Sequence, residues 1–318
     1  MNHLKRVARR LPPFARLVQD RDRLQSELDR WKRWQGFPPG HFYSPIPDLD
    51  DVGNRQQVVF DRTRRDIPGI DLRWERQIAL LRELAQFYGE LPFASEPTPG
   101  CRYHYNNQTF CQGDAIALYS MLRKLRPQRV VEVGSGFSSA VMLDTAERFL
   151  PETRFSFIEP YPERLQSLMK PDDAAKVRLF STGVVDVDRG VFDELQSGDI
   201  LFIDSSHVAK AGSDVGYLVF EIIPRLRPGV YVHFHDIFYP FEYPAEWVLR
   251  GWSWNEAYLV RSFLQFNPVF EIEFWGSALA QHHHALLAEL LPRALENTGA
   301  SLWLRRRDVH PHASSNGI

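Results

Sequence analysis

The chain of 318 residues is 44% hydrophobic and 25% charged, enough to bury one large core or one core with a smaller appendage. A formal net charge of -2 excludes the basic excess of a dedicated nucleic-acid binder, and two cysteines exclude a disulfide scaffold. No stretch reaches the roughly 20 apolar residues of a membrane span, and the basic start MNHLKRVARR lacks the apolar core and cleavage site of a secretory signal. The expected location is therefore cytoplasmic.

Residues 1–35 form a basic unit carrying about +6 by counting Lys and Arg against Asp and Glu. From Phe14 to Trp34, Leu17, Leu24, Leu28 and Trp31 recur at helical spacing. Such a helix packs on the body, pairs with a second copy, or docks on a membrane surface or anionic complex. Asp20, Asp22, Glu27 and Asp29 dilute its basic face and favour the first two. Residues 36–100 read as a proline-rich arm (Pro38, Pro39, Pro45, Pro47) and a helical cap near Asp71–Leu91. Residues 101–307 form the main domain, and 308–318 read as a disordered polar tail.

Within the main domain, apolar β-rich runs alternate with helical ones. Strands are expected at Arg129–Val133, Arg154–Ile158, Val177–Ser181, Asp199–Ile203 and Gly229–Phe234. Helices fit between them at Ser138–Phe149, Pro162–Met169, Val191–Gln196 and Ser213–Leu226. This alternation predicts a doubly wound parallel sheet. Further on come a helix at Asn255–Phe266, a strand at Val269–Trp275, a helix near Ala278–Leu291 and a strand at Ser301–Arg306. The two late strands suit an antiparallel hairpin at the sheet edge, making seven strands, mostly parallel.

Open α/β sheets bind ligands at the carboxyl ends of their strands. The first strand runs into Gly134-Ser135-Gly136, a turn that lets backbone approach a ligand closely. An acidic residue, Glu159, ends the second strand and can accept both hydroxyls of a ribose. The spacing also suits a dinucleotide, but the third fingerprint glycine is missing. Glu132 beside the loop repels a pyrophosphate and suits a cofactor bearing an ammonium and a sulfonium.

The runs VVEVGSGFSS, FIEPYPERL, GDILFIDSSHVAKAGSDV and PRLRPGVYVHFHDIF resemble, in order and spacing, the class I S-adenosylmethionine-dependent methyltransferases. They are similar to the small-molecule and sugar branch that includes macrocin O-methyltransferase-like enzymes. The resemblance covers roughly residues 100–275 and implies a Rossmann-like fold. It implies that Glu132, Gly134, Ser135 and Gly136 contact the methionyl part and that Glu159 holds the ribose. Asp186 would lie near the adenine, with Asn107 and Asp204 also lining the cofactor. Family members carry carboxylates matching Asp204, His235 and Asp236, where they hold magnesium. A histidine replaces one of these acids here, so a divalent metal other than Mg²⁺ also suits the set.

Without a metal, His207 or His235 serves as general base for an acceptor hydroxyl, with Asp236 beside them. The acceptor is expected to be a small molecule or carbohydrate-like compound bound near Tyr239, Phe241, Tyr243, Trp247, Trp252 and Trp254, with Asn255 and Glu256 adjacent. Two other readings stand beside O-methylation. One is a metal-dependent hydroxylase-like enzyme on the same sheet, and the other a non-catalytic cofactor-binding or assembly protein.

Overall fold

The computed structural model describes residues 12–34 and 36–308. The segments 1–11 and 309–318, which include most of the expected tail, lie outside the described residues. Internal contacts divide the chain into two compact units, Met1–Arg55 with Leu249–Ser253, and Gln56–Val248 with Trp254–Ile318.

The first unit holds helix α1, Pro12–Trp34, close to its expected bounds, and the short helix α2, Leu49–Asn54. Asp48 caps α2 by accepting from the Asp50 and Asp51 amides, the usual way to satisfy the open donors of a first turn. Between the helices, the proline-rich arm stacks Phe37, His41, Phe42 and Tyr43 on one another, with ring centroids 4.2–5.6 Å apart.

The second unit is built on seven strands: β1 Arg129–Val133, β2 Arg154–Ile158, β3 Val177–Phe180, β4 Ile200–Ile203, β5 Tyr231–Phe234, β6 Phe270–Trp275 and β7 Leu302–Arg306. Their order is β3-β2-β1-β4-β5-β7-β6. The first five run parallel, while β7 pairs antiparallel with both β5 and β6. This is the mostly parallel Rossmann-like sheet with an antiparallel edge. The chain order reverses at β1 and β4, where an open sheet leaves its ligand crevice. Every residue of β4 and β5 is buried, matching their lack of polar alternation.

Helix α3, Trp74–Ala85, supplies Leu80, Leu81 and Leu84 to the core. Helix α4, Gln112–Leu125, is buried without interruption from Asp114 to Leu122 and packs on α5, Phe137–Phe149. Both share one core with Val130, Phe155, Phe157, Ile200, Phe202 and Trp303. The sequence expectation missed α4, because a helix apolar all round carries no amphipathic stripe. The expected Ser213–Leu226 helix is broken. It begins as α6, Asp214–Tyr217, widens into a π-turn at Leu218–Ile222 and closes as a 3₁₀ turn at Ile223–Arg225. Pro224 has no amide hydrogen to keep the α pattern. Helix α7, Glu256–Leu264, follows β5. No described helix is long and apolar enough to cross a membrane.

Candidate active site

The turn after β1 is shaped by one glycine. Gly134 has a φ of 82°, in the left-handed region, and a Cβ there would collide with the Asp204 carbonyl oxygen. Its N–H extends the sheet by donating to the Ile158 carbonyl at 2.9 Å. Glu132, fully buried in β1, reaches under the first turn of α5. It accepts from Ser138 Oγ at 2.6 Å and from Ser139 Oγ, which itself accepts from the Gly136 N–H at 3.0 Å. Burial pushes the Glu132 carboxyl up to about 8 against these hydroxyls, which favour its anion. Glu132, expected to contact the methionyl part, is occupied by these two hydroxyls. Its carboxyl is sealed from solvent and ties the loop to the helix.

Glu159 stands one residue beyond β2 and is half-buried. Ser135 N–H donates to its Oε2 at 3.1 Å and Tyr161 N–H to its Oε1 at 2.8 Å. The carboxylate is thereby fixed at the edge of the glycine turn with lone pairs to spare. Two polar atoms near this turn, Ser135 Oγ and His104 Nδ1, are buried with no hydrogen-bond partner among the described residues. The His104 ring stands edge-on to Phe137, 5.4 Å between centroids. No sequence pattern marks His104, which sits in irregular chain. Asp186 is exposed at the end of the 3₁₀ turn Val184–Asp186 that follows β3. Asn107 holds its own loop together. Its amide donates to the His104 and Phe110 carbonyls at 2.7 and 2.9 Å and accepts from the Thr109 and Phe110 amides, pinning its own loop.

The ends of β4 and β5 meet as expected. His235 Nδ1 lies 3.2 Å from Asp204 Oδ1 and 3.7 Å from Asp236 Oδ2. His207 Nε2 lies 3.4 Å from Asp204 Oδ1 and 3.7 Å from Asp236 Oδ2. Each imidazole is held from behind by a buried acid that the sequence did not single out for this task. Asp114 of α4 meets His235 Nε2 at 3.2 Å, and Glu256 of α7 meets His207 Nδ1 at 2.8 Å. His207 and Asp236 both take left-handed backbone conformations, φ 59° and 55°, which non-glycine residues adopt at a cost. Strain of this kind clusters where a side chain must be aimed.

Charge balance decides the protonation of the cluster. Burial alone lowers the His207 pKa, but hydrogen bonds and charge from Asp204 and Glu256 outweigh it and carry the imidazole up to about 10. Burial likewise opposes charge on His235, and Asp236, Asp204 and Asp114 push it well above its usual value. Burial would raise Asp204, yet the two imidazoles hold it well below the carboxylate range. Asp236 goes the other way, raised chiefly by its burial. The surrounding acids thus draw both His207 and His235 toward their protonated forms, against the neutral base expected of them. His233 is a core residue, its ring stacked 3.8 Å from Phe202 and its Nε2 bonded to Ser301 Oγ. The residues expected to hold a metal do converge, as hydrogen-bonded charge pairs. Among the described residues no group of three or more His, Cys, Asp or Glu stands ready to hold an ion.

The expected acceptor wall divides in two. Tyr239, Phe241 and Tyr243 are fully buried and belong to the core, where the Tyr243 hydroxyl accepts from the Ala257 amide at 3.1 Å. Asn255 clamps Ala209, and Glu256 is spent on His207. Trp254 and Trp247 remain half-buried. Trp254 packs 4.4 Å from His207, Trp247 5.4 Å from Trp254, and Phe238 5.2 Å from Trp247. An aromatic ladder therefore climbs away from the cluster.

Residues 131–237 match a family described as "Methyltransferase domain". An uncharacterized protein of Archaeoglobus fulgidus is 35% identical over 170 residues, 52% of this chain and 76% of that protein. The chain belongs to one family with it. Among solved structures, the chain is similar to the O-methyltransferase TomG from Streptomyces achromogenes in complex with SAM. That likeness has 14% identity and a TM-score of 0.42, over 82% of this chain and 96% of that chain. It is also similar to the SAH-bound Podospora anserina methyltransferase PaMTH1, with 13% identity and a TM-score of 0.41 over 83% and 99%. The matched methyltransferase segment starts inside β1 and ends just past Asp236, spanning the glycine turn, Glu159, Asp204, His207, His235 and Asp236 but neither Asp114 nor Glu256.

Proposed function

We propose that this protein transfers a methyl group from S-adenosylmethionine to an oxygen of a small-molecule or carbohydrate-like acceptor. The observation that carries the reading is the turn at Gly134 set against Glu159. A carboxylate pinned by two amides keeps acceptor sites free for a ribose diol, beside backbone that only glycine can make. Ser135 Oγ and His104 Nδ1, buried and unpartnered, suit the carboxylate and ammonium of the methionyl end. Asp186 would meet the adenine, and the carbonyl end of Asp204 would border the sulfur.

Methyl transfer is an in-line displacement that depends on positioning. Asp236 accepts the proton of the acceptor hydroxyl as the oxygen–methyl bond forms and the sulfur–methyl bond breaks. His207, a cation held by Glu256, donates a hydrogen bond to the acceptor oxygen and orients it. The ladder of Trp254, Trp247 and Phe238 supports a flat or sugar-like ring. Calorimetric titration with S-adenosylmethionine and S-adenosylhomocysteine tests the reading. Absence of binding at millimolar cofactor overturns it.

A second reading keeps a divalent cation on Asp204, His235 and Asp236. It is favoured by the buried acid Asp114 behind His235, the outer partner that a metal-bound histidine requires. A cation would orient and acidify the acceptor hydroxyl. Elemental analysis of the purified protein decides between the two, since only the second reading requires stoichiometric metal.

A further inference from the structure

Helix α1 presents an apolar face to solvent. Leu17, Leu24, Leu28 and Trp31 are 65%, 57%, 47% and 62% exposed. Four large apolar side chains left in water on one face of a helix are an unfinished interface, since helices draw most of their stability from packing such a face.

The pattern of the face identifies what completes it. Leu17, Leu24 and Trp31 stand seven residues apart, and Leu28 lies four after Leu24 and three before Trp31. In a heptad frame, Leu17, Leu24 and Trp31 take the d positions, with Arg21 and Leu28 at a. That seam is narrower than the stripe a helix buries against a globular body. The outer c positions are all arginine, Arg16, Arg23 and Arg30, and the b positions Asp22 and Asp29 stand beside them.

The residues flanking the seam fix partner and direction. Asp20 and Glu27 fall at g, Gln25 and Lys32 at e. In a parallel pair, each g residue faces the next e residue of the other helix. Glu27 then meets Lys32, twice by symmetry, and Asp20 meets Gln25. An antiparallel pair sets the acidic g positions against each other. A membrane-surface helix carries a polar face dominated by Lys and Arg, whereas Asp22 and Asp29 sit among the arginines of this outer face and Asp20 and Glu27 border the seam.

We propose that α1 pairs with α1 of a second copy of this chain as a parallel two-stranded coiled coil. Arg21 at an a position restricts pairing to the in-register alignment, where the long side chains splay outward. The pairing is independent of the chemistry of the second unit.

Light scattering on the full chain after size exclusion tests the proposal. At micromolar concentration the parent should have twice the 37.0 kDa chain mass. Leu24→Lys with Leu28→Lys should return a monomer with the melting temperature of the second unit unchanged. Glu27→Lys should weaken the dimer about tenfold through two like-charge contacts, and adding Lys32→Glu should restore it. A monomeric parent, or a dimer that survives the double lysine substitution, overturns the proposal. An effect of Glu27→Lys that Lys32→Glu fails to reverse overturns the parallel register.

Discussion

Gly134→Ala is the sharpest probe of the cofactor turn, because two separate costs fall on one methyl group. A φ of 82° in a residue with a Cβ costs about 1–2 kcal/mol. The new Cβ also lands inside the van der Waals shell of the Asp204 carbonyl oxygen. That oxygen belongs to backbone locked by the Asp204 N–H donating to Val133 at 2.8 Å, so the end of β4 must shift or the turn must open. Overpacking of this kind costs about 1–3 kcal/mol. The sum, about 2–5 kcal/mol, should appear as a lower urea midpoint with an unchanged slope. Binding of S-adenosylhomocysteine should be lost, since either relaxation moves the backbone against which the cofactor lies. Gly183→Ala is the control. Gly183 precedes the 3₁₀ turn Val184–Asp186 with φ -67°, and its nearest neighbour to an added Cβ is Asp186 Oδ2 at 3.9 Å. It should match the parent in the urea midpoint. A Gly134→Ala protein as stable as the parent and binding with the same affinity would refute the close-approach reasoning.

Glu132→Gln should be tolerated below pH 8, because the buried carboxyl is already protonated there and an amide still reaches both serines. Its folded pKa lies above the unfolded one, and it is an acid, so the parent loses stability as pH climbs from about 4.5 to about 8. Glutamine should flatten that fall in denaturation curves, whereas Glu132→Ala strands two hydroxyls and should cost about 2–4 kcal/mol. His207 acts with the same sign over a higher pH window. Its pKa is raised to about 10, so its stabilisation is complete below about 6.5 and fades as pH rises to 10. Glu256→Gln should remove much of that slope, and a slope unchanged by the substitution would show that His207 is not held by Glu256. Asp236→Asn should spare S-adenosylhomocysteine binding by calorimetry and lower kcat by about 10²–10⁴. Normal turnover would remove Asp236 from the proton path.

The strands were legible in the sequence because VVEV, ILFI and YVHF show little polar alternation, as a sheet covered on both sides demands. The glycine turn was legible for a related reason, since only backbone geometry explains two glycines between a buried strand and a helix. What the sequence hid is long-range. Asp114 and His235 are 121 residues apart and His207 and Glu256 are 49 apart, yet each pair shares a hydrogen bond deep in the protein. No local period reports such a meeting, so the sequence offers the histidines as bases and hides the acids that draw them toward their protonated forms. The tyrosines after β5 misled for a simpler reason. Tyr239 and Tyr243 have the composition of a binding wall, but their hydroxyls find backbone partners, Arg64 and Ala257, and that lets them sink into the core.

The charged cluster makes physical sense once the whole reaction is balanced. Four carboxylates, Asp114, Asp204, Asp236 and Glu256, surround two imidazolium groups, leaving a surplus of negative charge where a sulfonium would dock. On the proposed path, methyl transfer removes the positive charge from sulfur, and a site tuned only to that cation would hold the reactant back. The proton resolves this. As sulfur becomes neutral, the acceptor proton neutralises one carboxylate, so cation and anion disappear together. Asp236 is suited to be that carboxylate because burial already disfavours its charged form, while Asp204, held down by both imidazoles, is not. Buried acids behind each histidine keep the imidazoles protonated throughout, which leaves Asp236 as the group of the cluster whose charge is cheapest to lose.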